Sequence, residues 1–145
     1  MSIHRLEGAC HCGNSRVEVA LSRAPETYAP RACDCDFCRR HGAAYLSDPA
    51  GALRIRVKDA RLLGKYRQGS ALADCLICTN CGVLLGVAYA ADGRLFATVN
   101  CRIVEGGIVF AETIVVSPKA LSAAQKVERW KELWFSDVAI FAAQE

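Results

Sequence analysis

Polar and apolar residues alternate through Ser15-Arg16-Val17-Glu18-Val19-Ala20-Leu21, which sets Val17, Val19 and Leu21 on one face of an extended segment. The alternation is cleanest over residues 53–58, where Leu53, Ile55 and Val57 share a face and arginine or lysine occupies each intervening position. Further strands are expected at residues 61–67, 71–77, 83–89, 95–100 and 108–116. Turns at Gly64, Gly69, Asp92-Gly93 and Gly106-Gly107 separate them. Ser47-Asp48-Pro49-Ala50-Gly51 is a further turn, and residues 23–30, with Pro25 and Pro30, read as a loop. Many short strands at regular spacing predict a mainly β protein.

Two stretches depart from this pattern. Residues 36–41 suit a short helical turn ended by Gly42. In the tail, Leu121, Ala124, Val127, Trp130 and Trp134 recur at roughly helical spacing, and Ser117-Pro118 supplies an N-cap and a first-turn proline. That helix is expected to lay an apolar face on a sheet.

The size of the chain, 145 residues with 52% hydrophobic, suits one folded domain spanning 1–145. A net charge of +3 is too small to argue for nucleic acid. Nine cysteines are many for this length. The first residues, Met1-Ser2-Ile3-His4-Arg5-Leu6-Glu7, contain no apolar leader, and the longest apolar run, residues 83–91, is too short to span a bilayer. A cytoplasmic chain keeps its thiols reduced, and clustered thiols there read as metal ligands or catalytic groups.

Three clusters follow. Cys33, Cys35 and Cys38 fall within six residues, separated by two aspartates and a phenylalanine, which is no core run. Their spacing suits thiolates gathered on zinc from one tight loop, with a fourth position left for water or substrate. Cys10 and Cys12, flanked by Gly8 and Gly13, are expected to point to one face of an extended segment, with His11 pointing away. Cys78 and Cys81, followed by Gly82, form a knuckle. Pairing these last two clusters closes a four-thiolate site. Cys75 is an alternative ligand there, and His41 an alternative fourth ligand for the Cys33 cluster. Cys75 and Cys101 otherwise read as buried thiols within strands.

Taken together, Gly8-x-Cys10-x-Cys12-Gly13, Cys33-x-Cys35-x-x-Cys38 and Cys78-x-x-Cys81-Gly82 resemble the glutathione-dependent formaldehyde-activating enzyme family, which includes centromere protein V. The resemblance runs from about Gly8 to near Ile108. It implies an Mss4-like fold: short antiparallel sheets, zinc knuckles and a short C-terminal helix. It implies two Zn2+ per chain, a structural ion on Cys10, Cys12, Cys78 and Cys81 and a catalytic one on Cys33, Cys35 and Cys38. The implied reaction joins formaldehyde to glutathione as S-hydroxymethylglutathione, a carbon–sulfur lyase reaction read in reverse. A small thiol and a small aldehyde are then the partners. Arg39 and Arg40, next to the trio, are candidates to bind glutathione carboxylates; otherwise they are a solvated basic pair. A non-catalytic, zinc-stabilised binding module is the rival reading. No membrane partner is expected, nucleic acid is disfavoured, and an exposed strand edge would permit a homodimer.

Overall fold

The computed structural model describes residues 3–142, so Met1, Ser2 and residues 143–145, the ends of the expected 1–145 domain, lie outside the described residues. The chain runs through β1 (His4–Ala9), β2 (Ser15–Leu21), β3 (Arg31–Cys33), α1 (Asp36–His41), β4 (Tyr45–Leu46), β5 (Ala52–Val57), β6 (Leu63–Tyr66), β7 (Asp74–Cys78), β8 (Leu84–Ala91), β9 (Arg94–Asn100), β10 (Ile114–Val116), α2 (Ala123–Leu133) and β11 (Val138–Ala142). The architecture is mainly β, in two sheets: β1-β2-β5-β11 and β10-β3-β4-β9-β8-β7-β6. Among the described residues no helix is long and apolar enough to cross a membrane.

The alternation read in β2 and β5 becomes the inner face of the smaller sheet. Val17 lies opposite Ile55 and Val19 opposite Leu53 in an antiparallel register, and all four are buried. Leu46, Leu76, Leu85 and Val99 of the larger sheet meet them in one core, with Phe135 fully buried among them. Burying such side chains contributes roughly 1.5–3 kcal/mol each before the entropy of ordering the chain is set against it.

Several elements differ from the sequence expectation. The segment expected as a strand at residues 61–67 begins as a 3-10 turn at Ala60–Leu62, capped by Asp59, before pairing as β6. Pairing of the 71–77 segment begins only at Asp74, because residues 67–73 form an irregular loop. Of residues 108–116 only Ile114–Val116 pairs, and it pairs with β3 in parallel. The preceding residues follow the Gly106-Gly107 turn and touch the core only through Ile108 and Phe110. Ser117-Pro118 opens a single 3-10 turn, Pro118–Ala120. Helix α2 starts later, where Ser122 and Gln125 form a reciprocal capping box. The chain then adds β11, unforeseen because Val138-Ala139-Ile140-Phe141-Ala142 has no polar alternation. It lies parallel to β5, with Val138 opposite Leu53. The sheets are therefore mixed and not purely antiparallel.

Asp48 does more than shape a turn. It is 3% exposed and accepts hydrogen bonds from the Ser22 backbone and hydroxyl (2.8 and 2.7 Å), the Tyr28 hydroxyl (2.6 Å) and the Ala50 backbone (2.9 Å). Burial alone would raise its pKa. The donors from Tyr28, Ser22 and Ala50 outweigh burial and hold the carboxyl below the usual range. A depressed folded pKa means that this stabilisation is full above the ordinary carboxylate pKa of about 4 and drains away as pH falls through the folded value. Asp48→Ala leaves the Tyr28 and Ser22 donors buried without an acceptor and is expected to cost about 2–4 kcal/mol in urea unfolding at neutral pH. The deficit relative to wild type should shrink as the pH is taken well below 4.

Candidate metal centres and the cavity beside them

Cys10, His11, Cys12 and Gly13 form a tight turn after β1 rather than an extended segment. The Gly13 N–H donates to the Cys10 carbonyl (3.1 Å), and Gly13 has φ +82°. The second knuckle repeats the device: the Gly82 N–H donates to the Cys78 carbonyl (2.7 Å), and Gly82 has φ +81°. A residue with a Cβ is disfavoured in that left-handed region by roughly 1–2 kcal/mol, so each turn wants glycine just after its second cysteine. His11, in this turn and not on a strand, is exposed and lies outside the sulfur cluster.

The two turns meet. The Sγ atoms of Cys10, Cys12, Cys78 and Cys81 all lie within 4.8 Å of one another. Cys10 and Cys12 sulfurs are 3.7 Å apart, and Cys12 and Cys78 sulfurs 3.6 Å. A disulfide needs about 2.05 Å. A tetrahedral zinc with Zn–S near 2.3 Å sets its sulfurs about 3.8 Å apart. All nine cysteines are free thiols.

Ionisation is uneven across this cluster. The Asn80 side chain, then the Asn14 backbone, hydrogen-bond Cys12 and hold its pKa down to about 6, whereas burial pushes Cys78 up to about 11. Four crowded thiols cannot all become thiolates unless a cation sits among them. Distances and donor chemistry together fit zinc.

The second cluster is built by a strand end and a helix start. Cys33 closes β3, and the next N–H, of Asp34, donates to Val116 (3.0 Å). Cys35 is the N-cap of α1, its sulfur accepting from the Cys38 N–H at 3.3 Å. A cap and the third helical residue stand one above the other, so Cys38 turns inward beside Cys35. The three sulfurs again lie within 4.8 Å of one another. The hydrogen bond from Cys38 lowers the Cys33 pKa to about 6; the same bond, with burial, pushes Cys38 far up. Tyr45 is 3.1 Å from the Cys38 sulfur, and burial keeps its phenol protonated and able to donate. This donor set also fits a cation, with fewer protein ligands than the first.

The larger sheet divides the two clusters. Leu76 and Cys78 of β7 pack into the core between the sheets, whereas Cys75 and Ile77 pack on the opposite face with Cys33, Cys35 and Cys38. Strand alternation thus removes Cys75 from the four-thiol cluster. Cys75 lies against the trio instead, with its pKa raised to about 11 by burial and then by the charges of Cys35, Asp74 and Cys33. Cys101 sits just past β9, half-buried, at the start of a 3-10 turn. His41 lies outside the trio; its ring packs on Phe37, centroids 4.6 Å apart.

The trio opens onto a cavity of about 180 Å3. Cys33, Cys35, Cys38 and Cys75 form one side. Val87, Val116, Trp130, Leu133 and Trp134 supply apolar wall, and the two tryptophans stack at 5.0 Å. Four basic residues, Arg31, Lys119, Lys126 and Arg129, also line it, and no acidic residue does. Burial, then the nearby charge of Arg129, lowers the Arg31 pKa. The Gln68 amide reaches within 3.9 Å of the Cys35 sulfur.

Arg39 and Arg40 do not reach the cavity. Both are exposed on α1; Arg39 bonds Asp36 at 3.0 Å and Arg40 bonds the Asp36 carbonyl at 3.2 Å. The residues of α2 went unnoticed as site residues. Their signal was Lys126, Arg129, Trp130 and Leu133 at i, i+3, i+4 and i+7, one helical face that is basic as well as apolar.

Comparison with known proteins agrees with this geometry. A family model described as glutathione-dependent formaldehyde-activating enzyme matches residues 5–120. No curated protein matches the chain. Among solved structures, a Rhodobacter sphaeroides protein determined as a structural-genomics target is 32% identical. That similarity covers 72% of this chain and 98% of the other, with a TM-score of 0.55. Seven cysteines in two clusters, on a fold matched over most of its length, place the chain in the glutathione-dependent formaldehyde-activating enzyme family.

Proposed function

We propose that this protein is a zinc-dependent enzyme that joins a thiol carrier, glutathione, to a small aldehyde or releases the aldehyde from the adduct, a carbon–sulfur lyase-type reaction. The observation that carries this reading is the contrast between the clusters: the trio opens onto a cavity, whereas the quartet lines none of the cavity and anchors Cys10 and Cys78 in the core between the sheets. Cys10, Cys12, Cys78 and Cys81 would hold a structural zinc, and Cys33, Cys35 and Cys38 a catalytic one. Zinc at the trio would supply Lewis acidity that favours the ionised form of a substrate thiol near neutral pH.

In the forward direction the substrate sulfur attacks the carbonyl carbon. A C–S bond forms, the C=O π pair moves to oxygen, and the proton lost by the thiol is balanced by the one oxygen gains. No oxidant or reductant is needed. Tyr45, its hydroxyl 3.1 Å from the Cys38 sulfur, would donate to that sulfur once it is ionised, fixing it and damping its charge. Trp130, Trp134 and Leu133 line the cavity and would keep water from the reacting atoms. Arg39 and Arg40, outside the cavity, would at most draw anionic substrates toward α1 through solution.

The test is proton NMR of glutathione and formaldehyde at equilibrium with and without zinc-loaded protein, reading the exchange rate into S-hydroxymethylglutathione. Acceleration above the spontaneous rate, lost on chelation, supports the reading. No acceleration with glutathione and any small aldehyde, despite a full metal complement, points to a zinc-stabilised binding module.

A further inference from the structure

The basic residues of the cavity lack an explanation in the chemistry above. The chain has 18 basic residues. Among the described residues, nine ion pairs engage much of this charge. Of the basic side chains without an acidic partner among the described residues, Arg31 and Lys126 are half-buried and the rest are exposed. Both half-buried ones line the cavity, and Arg129 lines it too, also unpaired. Lys119 is the exception, lying 3.9 Å from Asp34.

Withdrawing Arg31 and Lys126 part-way from water without a counter-ion is unfavourable, and setting the exposed Arg129 beside them adds mutual repulsion. The thiolates cannot balance them. Three thiolates on a divalent ion leave a net charge near −1, against three unpaired cations on the cavity wall. The surplus calls for further negative charge, brought in by whatever fills the space. Two of these cations are on α2, beyond the residue-120 limit of the family match.

We propose that Arg31, Lys126 and Arg129 form a carboxylate subsite that selects a thiol carrier bearing free acid groups, with α2 as the element that sets this selectivity. The identity of the carrier as glutathione, which has two carboxylates, rests on the function proposed above; the anion subsite does not. Arg31, the first residue of β3, offers a planar fork suited to one carboxylate. Lys126 and Arg129, one turn apart on α2, offer the second cationic element. These are recognition residues, placed to hold the carrier while its sulfur meets the trio.

The experiment uses the protein's own tryptophans. The chain has two, Trp130 and Trp134, and both line the cavity, so intrinsic fluorescence reports its occupancy without turnover. S-methylglutathione has no free thiol and tests the acid contacts alone. It should quench wild-type fluorescence saturably, whereas its diethyl ester should bind at least about tenfold more weakly. Arg31→Gln and Arg129→Gln should each weaken S-methylglutathione by about 10- to 100-fold, as expected for loss of a charge-assisted hydrogen bond, and leave the ester unchanged. Arg129 is exposed on a helix surface, so its variant folds even if Arg31→Gln does not; Arg31→Lys should restore part of the affinity. If S-methylglutathione fails to bind but glutarate quenches with the same arginine dependence, the subsite stands and glutathione is the wrong carrier. Equal binding of acid and ester, or binding indifferent to both arginines, overturns the subsite. So does a wild-type protein that responds to neither probe.

Discussion

Cys78→Ser is expected to leave little folded protein at room temperature. Cys78 is 0% exposed and belongs to both the four-sulfur cluster and the core between the sheets. Cys12, 66 residues away, and Cys10 come from the turn after β1, so the ion the cluster would share ties that turn to β7. A structural zinc of this kind contributes about 10–16 kcal/mol of apparent binding free energy. That equals or exceeds the whole stability of an ordinary domain, about 5–15 kcal/mol. Losing one thiolate weakens the ion's hold and leaves a hydroxyl in a dry place with poor partners. Circular dichroism and limited proteolysis check the outcome. A Cys78→Ser protein that melts within a few degrees of wild type would contradict the structural role.

Cys35→Ser should do the reverse, keeping the fold and losing the chemistry. Cys35 is the N-cap of a six-residue helix and contributes nothing to the main core. Serine is among the preferred N-cap residues, so the bond from the Cys38 N–H survives the exchange. What is lost is a soft thiolate from a cluster of three, which Cys75 packs against without joining. Removing only the hydrogen-bond partner of a ligand costs about 10–100-fold in affinity or activity, and removing the ligand itself should exceed the upper end of that range. The melting temperature should move by only a few degrees. Comparing the glutathione–formaldehyde exchange rate with the thermal melt of the same preparation checks both halves. Undiminished exchange in Cys35→Ser would remove the trio from catalysis.

The sulfur partition was legible because ligand spacing is a local constraint and the three sets differ in spacing. Cys10 and Cys12 lie in a turn, not a strand, yet still meet one another, since either geometry brings residues i and i+2 to one side. Cys75 could not be assigned until β7 was known to be a strand; its alternation then sent Cys75 and Cys78 to opposite faces. Arg39 and Arg40 looked close to the trio by adjacency. On a helix each step turns about 100°, so the residues after an inward Cys38 swing out to solvent. The basic wall of the cavity was hidden because it depends on where α2 docks, and only tertiary structure brings residue 129 to residue 31. Strand β11 was hidden for a related reason: an apolar run without alternation is ambiguous until its partner strand is known.

Zinc counted per chain on three proteins tests the account most directly. Wild type, Cys35→Ser and the double variant Cys10→Ser/Cys78→Ser are expressed with zinc supplementation, passed through a desalting column and analysed by inductively coupled plasma mass spectrometry. The account predicts two equivalents in wild type and one in Cys35→Ser, the latter resisting a mild chelator. The double variant should be poorly folded and keep no tightly held zinc. One equivalent in wild type and in Cys35→Ser alike would contradict it, as would a fully folded double variant.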